Sequence, residues 1–186
     1  MTKAKKVIIL SHCILNEYSK VNKWDKDEKI TELNTMDFLK FLLDNEIGII
    51  QLPCPELKGY GLKRWGQVKE QYDHPHYRKI CRELFEPILD QILEYQSNGF
   101  EIISLMGIYG SPTCGIYRTC SGNWGGEIGS NPDIQGTIAT VTGIDDSGIL
   151  MEEINKIFKA NNLDIPMIDF HKENLVSIID QIKKSL

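Results

Sequence analysis

Four short apolar runs recur along the chain, Val7 to Ser11, Ile49 to Leu52, Phe100 to Met106 and Ile165 to Phe170, and stretches of helical periodicity separate them. A continuous apolar run of this length is what a strand buried on both faces looks like. Strands joined through helical crossovers run parallel with right-handed connections. The alternation therefore predicts an α/β fold: one parallel, Rossmann-like sheet with helices on both faces. The 186 residues fit one domain over the whole chain, 1–186, with no internal repeat and no interdomain linker.

Caps and stripes place the helices. After a charge-rich stretch, Asn34 or Thr35 caps a helix with Met36, Leu39, Leu42 and Leu43 as its apolar face, ending near Gly48. Pro53 stops the second strand. Pro75 suits a first helical position, and Ile80, Leu84, Ile88 and Ile92 continue one stripe to Asn98 and Gly99, with a kink expected at Pro87. Asp146 or Ser147 starts a helix through Leu150, Ile154, Ile157 and Phe158, and Glu173 to Lys184 forms the last one with Leu175, Ile178, Ile179 and Ile182. What is left is a short strand over Ile138 to Gly143 and two long connections, Leu57 to His74 and Gly107 to Gly136. Connections of that length in a compact domain are usually functional, as lids or substrate loops.

Charge narrows the partners. Lys and Arg number 21 against 26 Asp and Glu, a net charge of −5, and that field repels phosphate backbones, so no nucleic acid is expected as partner. The basic start, Thr2 to Lys6, leads into only Val7 to Leu10 before Ser11 and His12, too short for a signal-peptide core or a membrane span. No membrane association and a cytoplasmic location are the expectation. Five cysteines is an odd number, and in a reducing compartment clustered thiols are more often metal-binding or catalytic than disulfide-bonded.

Cys13 lies just after the first strand, Cys54 just after the second, and Cys114 in the connection that leaves the third. Parallel strands bring all three to the carboxyl edge of the sheet, where open α/β folds bind ligands. Cys81 sits in the helical stripe between Tyr77 and Leu84 and reads as a core residue. Cys120, six residues beyond Cys114, reads as a solvent thiol or a loop-packing residue more readily than as a fourth ligand. One outcome is a closed zinc site completed by His12 or Cys120, a binding module without hydrolytic activity. A zinc deaminase is excluded, because Pro55, Glu56 and Leu57 follow Cys54 where that chemistry needs a second cysteine. No phosphate-binding glycine pattern follows any strand.

The segments Ser11-His12-Cys13-Ile14-Leu15-Asn16, Pro53-Cys54-Pro55-Glu56 and Ser111-Pro112-Thr113-Cys114-Gly115 resemble the three motifs of the DUF523/TudS (thiouracil desulfidase) family. The likeness continues through Gly115-Ile116-Tyr117 and from Ile165-Pro166-Met167 to Asn174-Leu175. The resemblance implies that Cys13, Cys54 and Cys114 bind three irons of a [4Fe–4S] cluster and leave the fourth iron without a protein ligand. It also implies catalytic roles for Glu56 and Ser111. The chain departs from the family pattern in two places. Glu17, Tyr18 and Ser19, leading to Lys20-Val21, stand where many members carry a second cysteine and Arg-Tyr-Asp, and Tyr109-Gly110 replace a basic residue before the third motif. This marks a divergent branch, for which thiouracil itself does not follow as the substrate.

The chemistry implied is the loss of sulfur from a small thiocarbonyl compound by non-redox hydrolysis, with hydrosulfide released. An iron with an open position is a Lewis acid, and its soft surroundings favour sulfur over oxygen. Glu56 is placed to activate water and Ser111 to relay a proton or hold substrate. Arg64 and Trp65 offer a cation and a stacking face for a planar heterocycle. Each residue also has an ordinary use: Glu56 as a helix cap or partner of Lys58, Ser111 as a turn residue before Pro112, Arg64 and Trp65 as loop packing. His12 orients a ligand or is a satisfied structural histidine, and His74, His76 and His171 read as solvated residues by helix starts.

Overall fold

The computed structural model describes residues 5–21 and 33–185. The charge-rich stretch over 22–32 and residues 2–4 of the basic start lie outside the described residues. Strand β1 (Lys6–Ser11) runs directly into one helical turn, α1 (His12–Leu15). Helix α2 (Thr35–Asp44) is capped by Asn34, whose side-chain oxygen accepts from the Met36 and Asp37 N–H groups while the Asp37 carboxylate accepts from the Asn34 N–H. Next come β2 (Gly48–Leu52), α3 (Pro55–Tyr60), α4 (Lys69–Tyr72), α5 (Pro75–Ser97) and β3 (Glu101–Ile108). The rest of the described chain holds β4 (Thr119–Ser121), α6 (Ile134–Ala139), β5 (Thr142–Ile144), α7 (Ile149–Ala160), β6 (Met167–Phe170) and α8 (Leu175–Lys184). Pro55 and Pro75 occupy first helical positions, where the missing N–H costs nothing.

The main sheet is parallel throughout, in the order β2-β1-β3-β6. Side chains of β1 alternate between two cores: Val7 and Ile9 pack with Tyr77, Phe85, Ile149 and Ile154, whereas Ile8 and Leu10 pack with Phe38, Leu42, Ile178 and Ile182. Helices α5 and α7 therefore cover one face and α2 and α8 the other, the two-faced α/β sheet that alternation along the chain predicts. Between α5 and α7 the buried Glu153 carboxylate accepts from Arg78 at 2.7 Å, Arg82 at 2.8 Å and Lys156 at 2.6 Å.

Local differences from the sequence reading have physical causes. The buried face of α2 is Thr35, Phe38 and Leu42, while Met36 and Leu43 are exposed, because the stripe that meets the sheet lies about one residue's rotation from the one read. That helix ends at Asp44, and Gly48 opens β2 instead of closing α2. In α5 the buried line is Tyr77, Cys81, Phe85, Ile88 and Ile92, with Ile80 and Leu84 half-buried, and the helix continues through Pro87. Helix α7 begins at Ile149 after Gly148, since Asp146 pairs with Lys69 and the Ser147 hydroxyl donates to the Ile116 carbonyl. Glu173 lies in a 3₁₀ turn (Lys172–Asn174) ahead of α8.

The two long connections are not bare loops. The first contains α3 and α4, and the second contains β4 and α6. Residues Ile138 and Ala139 are the end of α6, started by an Asp133 side chain that accepts from the Gly136 N–H, and the short strand shifts to Thr142–Ile144, antiparallel to β4. Helices of one or two turns carry no readable stripe, so their periodicity is silent in the sequence.

Candidate active site

The strand order decides the site. Cys13, Cys54 and Cys114 leave the carboxyl ends of β1, β2 and β3, and these three strands are neighbours with β1 in the middle. The chain turns from β2 on one side of β1 to β3 on the other, which is the switch point where open α/β sheets bind ligands. The Ser11 hydroxyl donates to the Met106 carbonyl at 2.9 Å and ties the end of β1 to β3.

Each cysteine is fixed by its local fold. Cys13 lies in α1. Cys54 caps α3, its sulfur accepting from the Leu57 N–H at 3.4 Å. Cys114 is held by a turn in which the Ser111 hydroxyl oxygen accepts from the Cys114 N–H at 3.0 Å and the Thr113 N–H at 3.3 Å. The Cys114 carbonyl accepts from the Ile108 N–H at 2.8 Å, an approach so close that a Cβ on Gly107 would collide with that oxygen. The first turn of α7 seals the loop from outside, with Ile149 N–H donating to the Pro112 carbonyl and Leu150 N–H to that of Thr113.

Burial pushes the Cys13 thiol up to about 12, with Cys54 and Glu56 adding to the rise and Lys20 opposing it. Burial likewise raises Cys54, and lifts Cys114 well above its ordinary value with the charges of Cys13, Glu56 and Cys54 adding to it. At Cys13 and Cys114 the neighbouring cysteines thus add to the cost of forming a thiolate. All five cysteines are free. Cys81 is fully buried in the α5 core, as read from the sequence. Cys120 lies on β4 with its S–H donating to the Gln67 carbonyl at 3.6 Å, and the acidic groups acting on it are Glu56 and Glu70, not the other thiols. Among the described residues no group of three or more His, Cys, Asp or Glu side chains stands in a geometry that could hold a metal ion.

Glu56 lies in the first turn of α3, nearly buried, beside this group. One of its oxygens accepts from the Thr113 hydroxyl at 2.7 Å and the other from Arg64 Nε at 2.9 Å. Arg64 also donates to the Gly61 carbonyl at 3.0 Å and the Ser19 carbonyl at 2.7 Å, so its guanidinium is engaged with the protein. Glu56 therefore pairs with Arg64 rather than Lys58. Thr113 is a site residue that reading the sequence missed, and its place beside Cys114 was the only signal for it. Ser111 meets the backbone of the cysteine loop, and its Oγ also stands 3.4 Å from the Thr113 hydroxyl.

Trp65 is exposed and lines a cavity of about 190 Å³ together with Trp124, Gln67, Gln71 and Asn131. The Gln51 side-chain N–H group donates to His12 Nδ1 at 2.8 Å, which leaves His12 Nε2 as a buried donor without a partner among the described residues. His74 caps α5, its Nδ1 accepting from the Tyr77 N–H at 3.3 Å. No described helix is long and apolar enough to cross a membrane.

Over residues 5–128, which take in all three cysteines, the chain matches the family described as "Putative 2-thiouracil desulfurase". It is also 35% identical over 170 residues to the uncharacterized protein MJ0003 of Methanocaldococcus jannaschii, covering 91% of this chain and 88% of that protein. No solved structure matches.

Proposed function

Because the chain belongs to this 2-thiouracil desulfurase family, we propose that it is an iron–sulfur-dependent desulfidase that hydrolyses a small thiocarbonyl compound to the carbonyl and hydrosulfide. The observation that carries the reading is the placing of a buried carboxylate, Glu56, beside three free cysteines that leave the carboxyl ends of three neighbouring strands at the switch point of the sheet.

The donor set fits a [4Fe–4S] cluster held by Cys13, Cys54 and Cys114. A single zinc ion draws its sulfurs to within about 3.8 Å of one another, as tetrahedral bonds of ~2.3 Å require. A cluster takes one thiolate per iron and keeps them further apart. Three free cysteines at one edge of the sheet are the number and type of ligand that such a cluster would take from the protein. His12, the residue before Cys13, has an Nε2 donor without a partner among the described residues, which would be free to hydrogen-bond such a cluster. When bound, the cluster supplies a Lewis-acidic iron with an affinity for the substrate's sulfur. In a reducing cytoplasm the free thiols remain available for it.

The protein's own groups do the rest. Glu56 takes a proton from water as its oxygen bonds to the thiocarbonyl carbon, the carbon–sulfur bond breaks, and sulfur leaves as hydrosulfide. Carbon keeps its oxidation state and no electron is transferred. Thr113 and Arg64 fix the Glu56 carboxylate, and Ser111 fixes Cys114, a positioning role beside the proton relay read for it. Trp65 offers a planar heterocycle a face at the cavity it shares with Trp124, while Arg64 serves through Glu56.

The test is a panel of thiolated pyrimidines and small thioamides, assayed anaerobically for hydrosulfide without reductant. Glu56→Gln is expected to keep the iron and lose roughly 10²-fold or more in rate, the scale of general acid–base catalysis. Loss of iron instead makes Glu56 structural. Zinc at one equivalent in place of iron and sulfide, or turnover only with an electron donor, overturns the reading.

A further inference from the structure

Tyr77 stands in the first turn of α5 with 1% of its surface exposed. A buried tyrosine hydroxyl normally finds a hydrogen-bond partner, because leaving one unpaired forfeits the bonds it made with water. Its oxygen has none among the described residues.

The surroundings say where that hydroxyl lies. The Tyr77 ring packs on Tyr72 with centroids 4.7 Å apart and belongs to the same apolar cluster as Cys114. The ring's Cε2 is at ordinary contact distance, 3.5 Å, from the place a Cβ would take on Gly59 of α3, and a Cε atom adjoins the carbon that bears the hydroxyl. Gly59 and Glu56 are three residues apart on α3 and share one face of it. The hydroxyl end of Tyr77 therefore meets α3 on the face that carries Glu56. Burial, then the charges of Glu56, Cys81 and Cys114, push this hydroxyl well above its ordinary range, so it stays a donor.

Glu56 spends one hydrogen bond per oxygen on Thr113 and Arg64, and a carboxylate has lone pairs for more. The Tyr77 ring lies against the α3 face that carries Glu56, with no direct bond between the two side chains, an arrangement that a bridging oxygen completes. We infer that Tyr77 is a further catalytic residue of the reaction proposed above: its hydroxyl and the Glu56 carboxylate together hold the attacking water.

Tyr77 donates to one lone pair of that water and so turns the other toward the thiocarbonyl carbon, while Glu56 accepts the proton. The new carbon–oxygen bond replaces the carbon–sulfur bond, the water's second proton leaves with the sulfur as hydrosulfide, and the Tyr77 proton stays in place throughout. The inference rests on the hydrolytic reading.

Tyr77→Phe removes a single oxygen from the side chain. In cluster-loaded protein it is expected to leave iron content, thiolate-to-iron absorption and KM unchanged and to lower kcat roughly 10²-fold, the scale of a misplaced reactant. A kcat at the wild-type level, or a raised KM with kcat unchanged, overturns the inference. A crystal structure that resolves solvent gives a readout without turnover. An oxygen bonded to both Tyr77 Oη and Glu56, lost in the phenylalanine variant, supports it, and a Tyr77 hydroxyl bonded directly to a protein group overturns it. If wild-type protein releases no hydrosulfide from any thiocarbonyl, the hydrolytic reading fails, and the crystallographic oxygen still decides whether Tyr77 and Glu56 form a holding site.

Discussion

Cys54 and Cys81 have the same side chain and opposite situations. Cys54 follows the end of β2, caps α3 and lies at the same sheet edge as Cys13 and Cys114, whereas Cys81 is fully buried in the apolar line of α5, its thiol pushed up to about 12 by burial. Serine replacements separate the two. Cys13→Ser, Cys54→Ser and Cys114→Ser are each expected to abolish the broad thiolate-to-iron absorption of reconstituted protein. Cys81→Ser should keep the full iron content and lose about 1–3 kcal/mol in a denaturant titration, because it buries a hydroxyl among apolar neighbours. Full iron in Cys114→Ser would break the ligand set. At this scale the sequence showed which three cysteines share an edge, since strand direction alone requires it. It did not show what holds Glu56. Thr113 and Arg64 reach that carboxylate from separate loops, and no spacing in one dimension encodes such a meeting.

Elements long enough to carry a period were legible and shorter ones were not. The strands of the main sheet and helices α2, α5, α7 and α8 were each visible as a run or a stripe, while α3, α4 and β4 lay hidden in stretches read as loops and the end of α6 was read as a strand. The pairing of α5 with α7 was hidden too, and it depends on charge. Glu153 is buried, which raises its carboxyl, but hydrogen bonds from Lys156, Arg82 and Arg78 outweigh that and hold it at about 2 against an ordinary 4.5. A depressed carboxyl contributes stability above its unfolded value and loses it as pH falls toward the folded one. Glu153→Gln is therefore expected to be less stable than wild type by roughly 2–3 kcal/mol at pH 7. The gap should narrow below pH 4.5 and close near pH 2, as read by denaturant unfolding across that range. A gap that is constant with pH would assign the cost to packing instead.

The whole molecule carries a net charge of −5. An uncharged thiocarbonyl compound does not feel that field, so its kcat/KM should stay constant from about 0.01 to 0.15 M salt, while a phosphorylated analogue should be disfavoured most at the low end. Strong salt dependence for the neutral compound would place unseen charge at the mouth of the site. The sheet order has a consequence for assembly. The three cysteines arrive on separate strands, at residues 13, 54 and 114, and stand together only once β2 and β3 have both docked on β1. Parallel pairings of this kind close large loops and form slowly. A chain halted before β3 has at most two of the thiols in position, so the cluster proposed above would be captured only by a finished sheet: on that reading a nascent or misfolded copy would be left without it, and loading would report completed folding.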